Sequence, residues 1–291
     1  MNLSFPVMRK ISLPLFIILF ITNSSIVFSG PPDSTISFFP ENRIYPVIFL
    51  DPLECQIMSG SYLLSQSGKN LSLYSTVNMG FTLPVIAGRG KKVAWELNFG
   101  TAIFSQFDLI KKDDGTCLAG LMNNDFKLSG DLTIRKNNNL LRLRTYHLSS
   151  HLGDDYLQRY SDTLTNDKSA NYEQADLTYM GKYGNNYWYA GAGYIYTIHV
   201  FRERFSILSG GVLNFREENP VSYFTGIDIK ILAENDFYPD IRTAFGINLN
   251  RKSEPLIRIW AEYCSGKLPY STIDYGRVNW FGMAMALNII K

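Results

Sequence analysis

After residue 29 the chain has no run of eighteen apolar residues, so nothing in the mature sequence could cross a bilayer as a single helix. Cysteine is scarce and odd in number, with Cys55, Cys117 and Cys264 only. That excludes a disulfide framework; small buried or lipid-facing thiols are the plainer reading and one bridge the alternative. Positive charge is not in excess. The net charge is +2, and the Lys and Arg residues are scattered without a stripe, so no nucleic-acid partner is expected. A glycine-rich nucleotide loop is also missing, because Gly191-Ala192-Gly193 sits within an alternating stretch rather than before a helix. Internal repeats and low-complexity tracts are absent.

What is present points outward from the cytoplasm. Arg9 and Lys10 precede a twelve-residue apolar run, Ile11 to Thr22, and Val27-Phe28-Ser29 fits a cleavage site before Gly30. Residues 1–29 therefore read as a signal peptide. No cysteine follows the cut, which argues against a lipid anchor. Residues 30–55 are proline-rich (Pro31, Pro32, Pro40, Pro46, Pro52) and read as an irregular periplasmic lead-in, packed under the rest of the mature chain. From about residue 56 onward the apolar side chains recur at every second position, which is the period of a strand. In 187–198, Trp188, Ala190, Ala192, Tyr194, Tyr196 and Ile198 share one face. In 126–135, Phe126, Leu128, Leu132 and Ile134 oppose Lys127, Asp131 and Arg135.

Twelve such strands are expected, at 56–65, 71–86, 92–106, 125–136, 140–150, 171–182, 186–199, 205–216, 221–233, 239–250, 256–265 and 276–290. Most have the length needed to cross a bilayer at a tilt. Short turns, such as Asn137-Asn138-Asn139 and Tyr183-Gly184-Asn185, alternate with longer loops at 107–124, 151–170 and 266–275. Short periplasmic turns and long external loops are the pattern of outer-membrane barrels. The fold class is accordingly all-β, an antiparallel transmembrane β-barrel of about 12 strands over 56–291, with the bacterial outer membrane as its location. A soluble sandwich would also alternate, but with shorter strands. The last strand, Trp280-Phe281-Gly282-Met283-Ala284-Met285-Ala286-Leu287, resembles the C-terminal assembly signal of such barrels, although the chain finishes on Ile289-Ile290-Lys291 rather than on an aromatic residue.

One stretch carries chemistry. Residues 146–157 read Tyr-His-Leu-Ser-Ser-His-Leu-Gly-Asp-Asp-Tyr-Leu and hold two of the three histidines. Arg142, Arg144 and Tyr146 share a face that belongs in the watery lumen, so His147 and Ser149 should point to lipid. Their Cα atoms lie about 7 Å apart on one strand face, close enough for a histidine to activate a serine nucleophile. An orienting third group is offered by Asn171 or Glu173 on the lipid face of the next strand. The plainer reading of all four is a polar cluster at the membrane rim. Asp154 and Asp155 could supply carboxylate oxygens to calcium or form a solvated loop. His151 falls on the side of His147 and would be a supporting partner, while His199 reads as ordinary.

This arrangement resembles outer-membrane phospholipase A, a twelve-stranded barrel whose His-x-Ser pair and following Asn hydrolyse lipid acyl esters with calcium. His147-Leu148-Ser149 matches the His-x-Ser and Asn171 the Asn. Where that family continues Asn-Gly, this chain has Ser150-His151, and its gap to the Asn is shorter. Tyr263-Cys264-Ser265-Gly266, Ile273-Asp274-Tyr275 and Arg277 also look like that family's final hairpin. A longer motif, Arg144 through Asp155 with Gln106-Phe107-Asp108 upstream, is similar to the uncharacterised family called domain of unknown function 1207 across nearly the whole mature chain. What the resemblances imply is a lipid acyl hydrolase, phospholipase A-like or lipid A deacylase-like. In it Ser149 is the nucleophile, His147 the base, and Asn171 or Glu173 the orienting group, with calcium as cofactor. Its partners would be membrane lipid (phospholipid or lipopolysaccharide), with a homodimer as one state open to it. A non-enzymatic barrel, either a narrow pore or a structural protein, is the alternative.

Overall fold

All twelve alternating segments become strands, and they close on one another. The computed structural model describes residues 35–67, 71–111, 117–159, 170–198, 203–216, 218–251, 254–269 and 276–288; the expected leader at 1–29 lies outside them. A short strand, β1 (Thr35–Phe38), comes first. The barrel continues as β2 (Ile57–Gln66), β3 (Ser72–Arg89), β4 (Val93–Lys111), β5 (Cys117–Lys136), β6 (Asn139–Leu152), β7 (Ala170–Tyr183), β8 (Asn186–Ile198), β9 (Phe205–Phe215), β10 (Val221–Leu232), β11 (Pro239–Arg251), β12 (Glu254–Lys267) and β13 (Arg277–Leu287). From β2 to β13 consecutive strands pair antiparallel, β1 pairs instead with the end of β3, and β13 returns to β2 from Val278↔Gln66 to Leu287↔Ile57. Closure removes the free sheet edges that lipid cannot solvate. Among the described residues no helix is long and apolar enough to cross a membrane.

Alternation sorts the side chains as expected. Along β6, Leu141, Leu143, Thr145 and His147 are exposed on the outer wall, while Leu140, Arg142, Arg144, Tyr146, Leu148 and Ser150 are buried inside. An outer belt of exposed apolar groups such as Phe99, Phe126, Leu177, Trp188, Leu213 and Phe281 is what a hydrocarbon solvent selects. Two-residue turns at 137–138 and 184–185 put Asn137 (φ 56°) and Gly184 (φ 64°) in the left-handed region, the chemistry that tight hairpins need. At Gly181 the ring of Trp188, its partner in register, covers the place a Cβ would take.

The β4–β5 hairpin is taller than its alternation suggests, with pairing continuing to Lys111↔Cys117. A bulge explains this. Gln106 pairs with Asn123 but Phe107 pairs with Leu121, so Met122 is skipped and the period-2 count changes phase there.

Residues 44–55, expected as part of the lead-in, lie inside the cylinder together with Gln56. Ile44, Tyr45, Ile48, Phe49 and Leu50 are buried, as are Asp51, Glu54, Cys55 and Gln56. The apolar half of this plug packs on lumen aromatics, with Phe49 edge-on to Phe224 (5.2 Å) and Trp260 (5.3 Å) and under the Arg258 guanidinium (4.4 Å). Its polar half is anchored to the wall. Glu54 accepts from Arg142 (2.9 Å) and Arg144 (3.1 Å), and Asp51 from Lys230 (2.9 Å). Lys127 and Arg242 donate to the carbonyls of Leu53 (2.6 Å) and Leu50 (3.1 Å). A buried irregular segment must satisfy its backbone groups somewhere, and the wall supplies those partners. Burial pushes the Asp51 and Glu54 carboxyls up, but the cations around them outweigh it and hold both below the ordinary carboxylate range. Cys55 and Cys264 are free and buried.

Candidate functional site

The outer ends of β6 and β7 carry a polar group on a wall that is otherwise apolar. Because β6 keeps its alternation to Leu152, His147, Ser149 and His151 all share the outer face. Across the strand pair His147 stands opposite Glu173, and Ser149 opposite Asn171. On the other side Leu128 faces His147, Phe126 faces Ser149 and Asn124 faces His151. Beside them Phe126 and Leu128, and further along β6 Leu143, make the wall greasy, all three exposed.

The hydrogen bonds divide these residues into two pairs. His147 Nδ1 lies 3.0 Å from Glu173 Oε1. Ser149 Oγ lies 2.7 Å from His151 Nε2, not against His147. The structure thus brings together all four residues singled out as His147, Ser149, Asn171 and Glu173, but gives the serine a different histidine from the one the His-x-Ser resemblance implied. Spacing could not choose: residues 147 and 151 stand two positions to either side of Ser149, at equal reach. The signal for His151 was the unbroken alternation through Leu152. Asn171 Oδ1 and Glu173 Oε2 are buried without hydrogen-bond partners, so the β7 side of the group holds acceptors that the protein does not use itself. His151 also meets the Phe126 ring edge-on at 5.9 Å.

Immediately beyond β6 the chain is pinned. Gly153 donates to the Met122 carbonyl (2.8 Å), and a short helix, α1 (Asp154–Arg159), begins. Asp155 accepts from the Leu121 N–H (2.7 Å). Arg159 forks onto Asp108 with bonds of 2.7 and 2.9 Å, the bidentate geometry that makes Arg–carboxylate pairs specific. A Cβ at Gly153 would collide with the Leu121 carbonyl oxygen, so only glycine lets the chain pass so close.

Asp154 and Asp155 therefore serve as first-turn acids of a helix, and Asp155 already has a backbone donor. Among the described residues no group of three or more His, Cys, Asp or Glu side chains converges as a metal site. Calcium asks for six to eight oxygens, more than Asp154 and Asp155 supply by themselves. His199 lies outside the described residues.

On the inner face of the same strands, Arg144 reaches Asp176 of β7 (2.7 Å) as well as Glu54, and Lys127 stands 4.3 Å over the Tyr146 ring. The outer group is thus backed by a buried ionic cluster.

Comparison with solved structures agrees with this architecture. The barrel is similar to the outer membrane phospholipase dimer from Salmonella typhi with bound calcium, at a TM-score of 0.51 and 12% identity, over 87% of this chain and 96% of that one. It is similar to outer membrane phospholipase A from Escherichia coli with the same score and identity, over 86% and 96%. At that identity the likeness is one of fold. No curated protein sequence matches the chain. A family model described as protein of unknown function, DUF1207, matches residues 57–288, which is the barrel from the start of β2 to just past β13.

Proposed function

Since the chain belongs to the DUF1207 family of proteins of unknown function, its activity has to be argued from its own wall, and we propose that it is a lipid acyl hydrolase of the bacterial outer membrane. Ser149 is the nucleophile. A histidine of the same outer face takes its proton, and His147, Glu173 and Asn171 complete the group. The observation that carries this is the 2.7 Å contact between Ser149 Oγ and an imidazole nitrogen on a lipid-facing strand. Nucleophile and base within hydrogen-bond reach are the first requirement of acyl transfer. Bare polar groups against hydrocarbon cost free energy unless they are paired or used, and this group leaves two buried acceptors over.

The neighbouring side chains favour an amphiphile as substrate. An amphiphile lying on this wall sets its acyl chains along Phe126, Leu128 and Leu143, with its ester at Ser149 and its head toward α1. Phospholipid and lipopolysaccharide share that chemistry, and assaying both separates them. A second copy of the chain is the other partner in this reading, which cross-linking in micelles checks.

Purified protein in mixed micelles should release fatty acid, and Ser149→Ala should abolish that release. Full activity in Ser149→Ala overturns the proposal. The pore alternative needs an open lumen. The ring of plug contacts from Ile44 to Gln56 argues for a closed one, so planar bilayers containing the protein should show no steady conductance.

A further inference from the structure

We propose that His151 is the catalytic base for Ser149, that His147 with Glu173 is a positioning pair, and that helix α1 holds His151 in place. This rests on the hydrolase reading and extends it, because the His-x-Ser resemblance implied the opposite division of labour.

Three features support the assignment. First, His151 is the imidazole that Ser149 touches, at 2.7 Å through Nε2. For Nε2 to accept, the ring proton sits on Nδ1, which leaves that N–H as a donor to a lipid oxygen. Second, although Glu173 holds His147 Nδ1 at 3.0 Å as an orienting acid would, the Ser149 hydroxyl is turned away from the His147 ring and toward His151. Third, His151 is the last outward residue before a built clamp. Two residues further on, Gly153 lies against the Leu121 backbone with no room for a side chain. Asp155 and Arg159 then fix α1 to β5 and β4 through the Leu121 N–H and the Asp108 carboxylate. A strand end that would otherwise fray is held at the position where a base must not move, since small displacements at a reacting pair are costly in rate.

As Ser149 Oγ forms its bond to the ester carbonyl carbon, the hydroxyl proton passes to His151 Nε2. The tetrahedral adduct collapses with cleavage of the bond between that carbon and the alcohol oxygen. The leaving oxygen takes the proton from His151. Water then repeats the sequence on the acyl-serine and releases the fatty acid.

Two measurements test this on the full-length protein refolded in micelles, with native folding confirmed by heat-modifiable gel mobility. One is fatty-acid release from phospholipid. The other is the rate at which a long-chain alkyl fluorophosphonate labels Ser149, with fluoride leaving as the Oγ–P bond forms; this needs no knowledge of the natural substrate. His151→Asn should lower kcat and the labelling rate by about 10²–10⁴-fold, the usual span for loss of a general base. His147→Asn should raise KM and slow labelling far less than His151→Asn does. Added imidazole should restore labelling to His151→Ala and not to His147→Ala. Arg159→Leu should lower kcat while the shape of the pH profile stays that of the parent.

Labelling that survives in His151→Asn but is lost in His147→Asn overturns the assignment, as does imidazole rescue confined to His147→Ala or no loss in either variant. If Ser149 is neither labelled nor needed for release in the parent protein, the hydrolase reading itself has failed. That outcome is distinct from a wrong choice of histidine.

Discussion

Removing the Glu54 carboxylate should loosen the whole barrel, and the size of the effect can be worked from its partners. Arg142 and Glu54 are both almost fully buried and joined at 2.9 Å. Arg144 shares the same carboxylate at 3.1 Å but keeps Asp176 at 2.7 Å. In Glu54→Leu the stranded charge is therefore Arg142, which keeps the Tyr45 ring at 4.3 Å but no carboxylate hydrogen-bonded to it. Breaking one side of a buried pair typically costs about 3–5 kcal/mol. Replacing both sides, as in Glu54→Leu with Arg142→Met, should recover most of that, because a buried pair and an apolar replacement of similar volume are close in free energy. Urea unfolding in detergent micelles, followed by gel mobility, measures the two variants, and protease cleavage within residues 39–56 reports release of the plug. The pH dependence has a definite sign. Glu54 titrates below its ordinary value in the folded state because Arg142 and Arg144 outweigh its burial. Its contribution is therefore complete above the ordinary carboxylate range and drains away as the pH falls through its lowered value. Glu54→Gln should flatten that acid-side loss. If Glu54→Leu costs under about 1 kcal/mol, or the double variant is no more stable than the single one, the plug is not held by this pair and the reasoning fails.

Leu143→Arg places a cation on the lipid face near the middle of β6, one residue from Arg144, which the lumen accommodates. It should cost about 2–4 kcal/mol and reduce insertion into vesicles, whereas Leu143→Phe should insert like the parent. Gly181→Ala drives a methyl group into the Trp188 ring, whose Nε1 stands where the new Cβ would go. Displacing that ring should cost about 1–3 kcal/mol and shift the part of the tryptophan emission that Trp188→Phe removes; an unchanged spectrum would count against the packing.

Much of the wall was legible because alternation is a local signal. Arg142 and Arg144 against Leu141 and Leu143 gave the facing of β6 without any knowledge of its neighbours, and that placed His147 and Ser149 outside. The top of β5 was not legible, since skipping Met122 shifts the phase of everything beyond it. Residues 44–56 have no period to read. Their partners are also remote in sequence, 88 residues from Glu54 to Arg142 and 192 from Leu50 to Arg242. At the site, sequence placed the residues but not their torsions: two histidines stand symmetrically about Ser149, and the side-chain rotamers decide which one it meets.

The inner and outer faces of β6 are one backbone thick. Glu54 grips that strand through Arg142 and Arg144, and Arg144 in turn grips β7 through Asp176. Those are the two strands that display Ser149 and Asn171 to the outside. The contacts that seat the plug and the side chains turned to the outside thus hang on the same two strands, with a single layer of peptide planes between them.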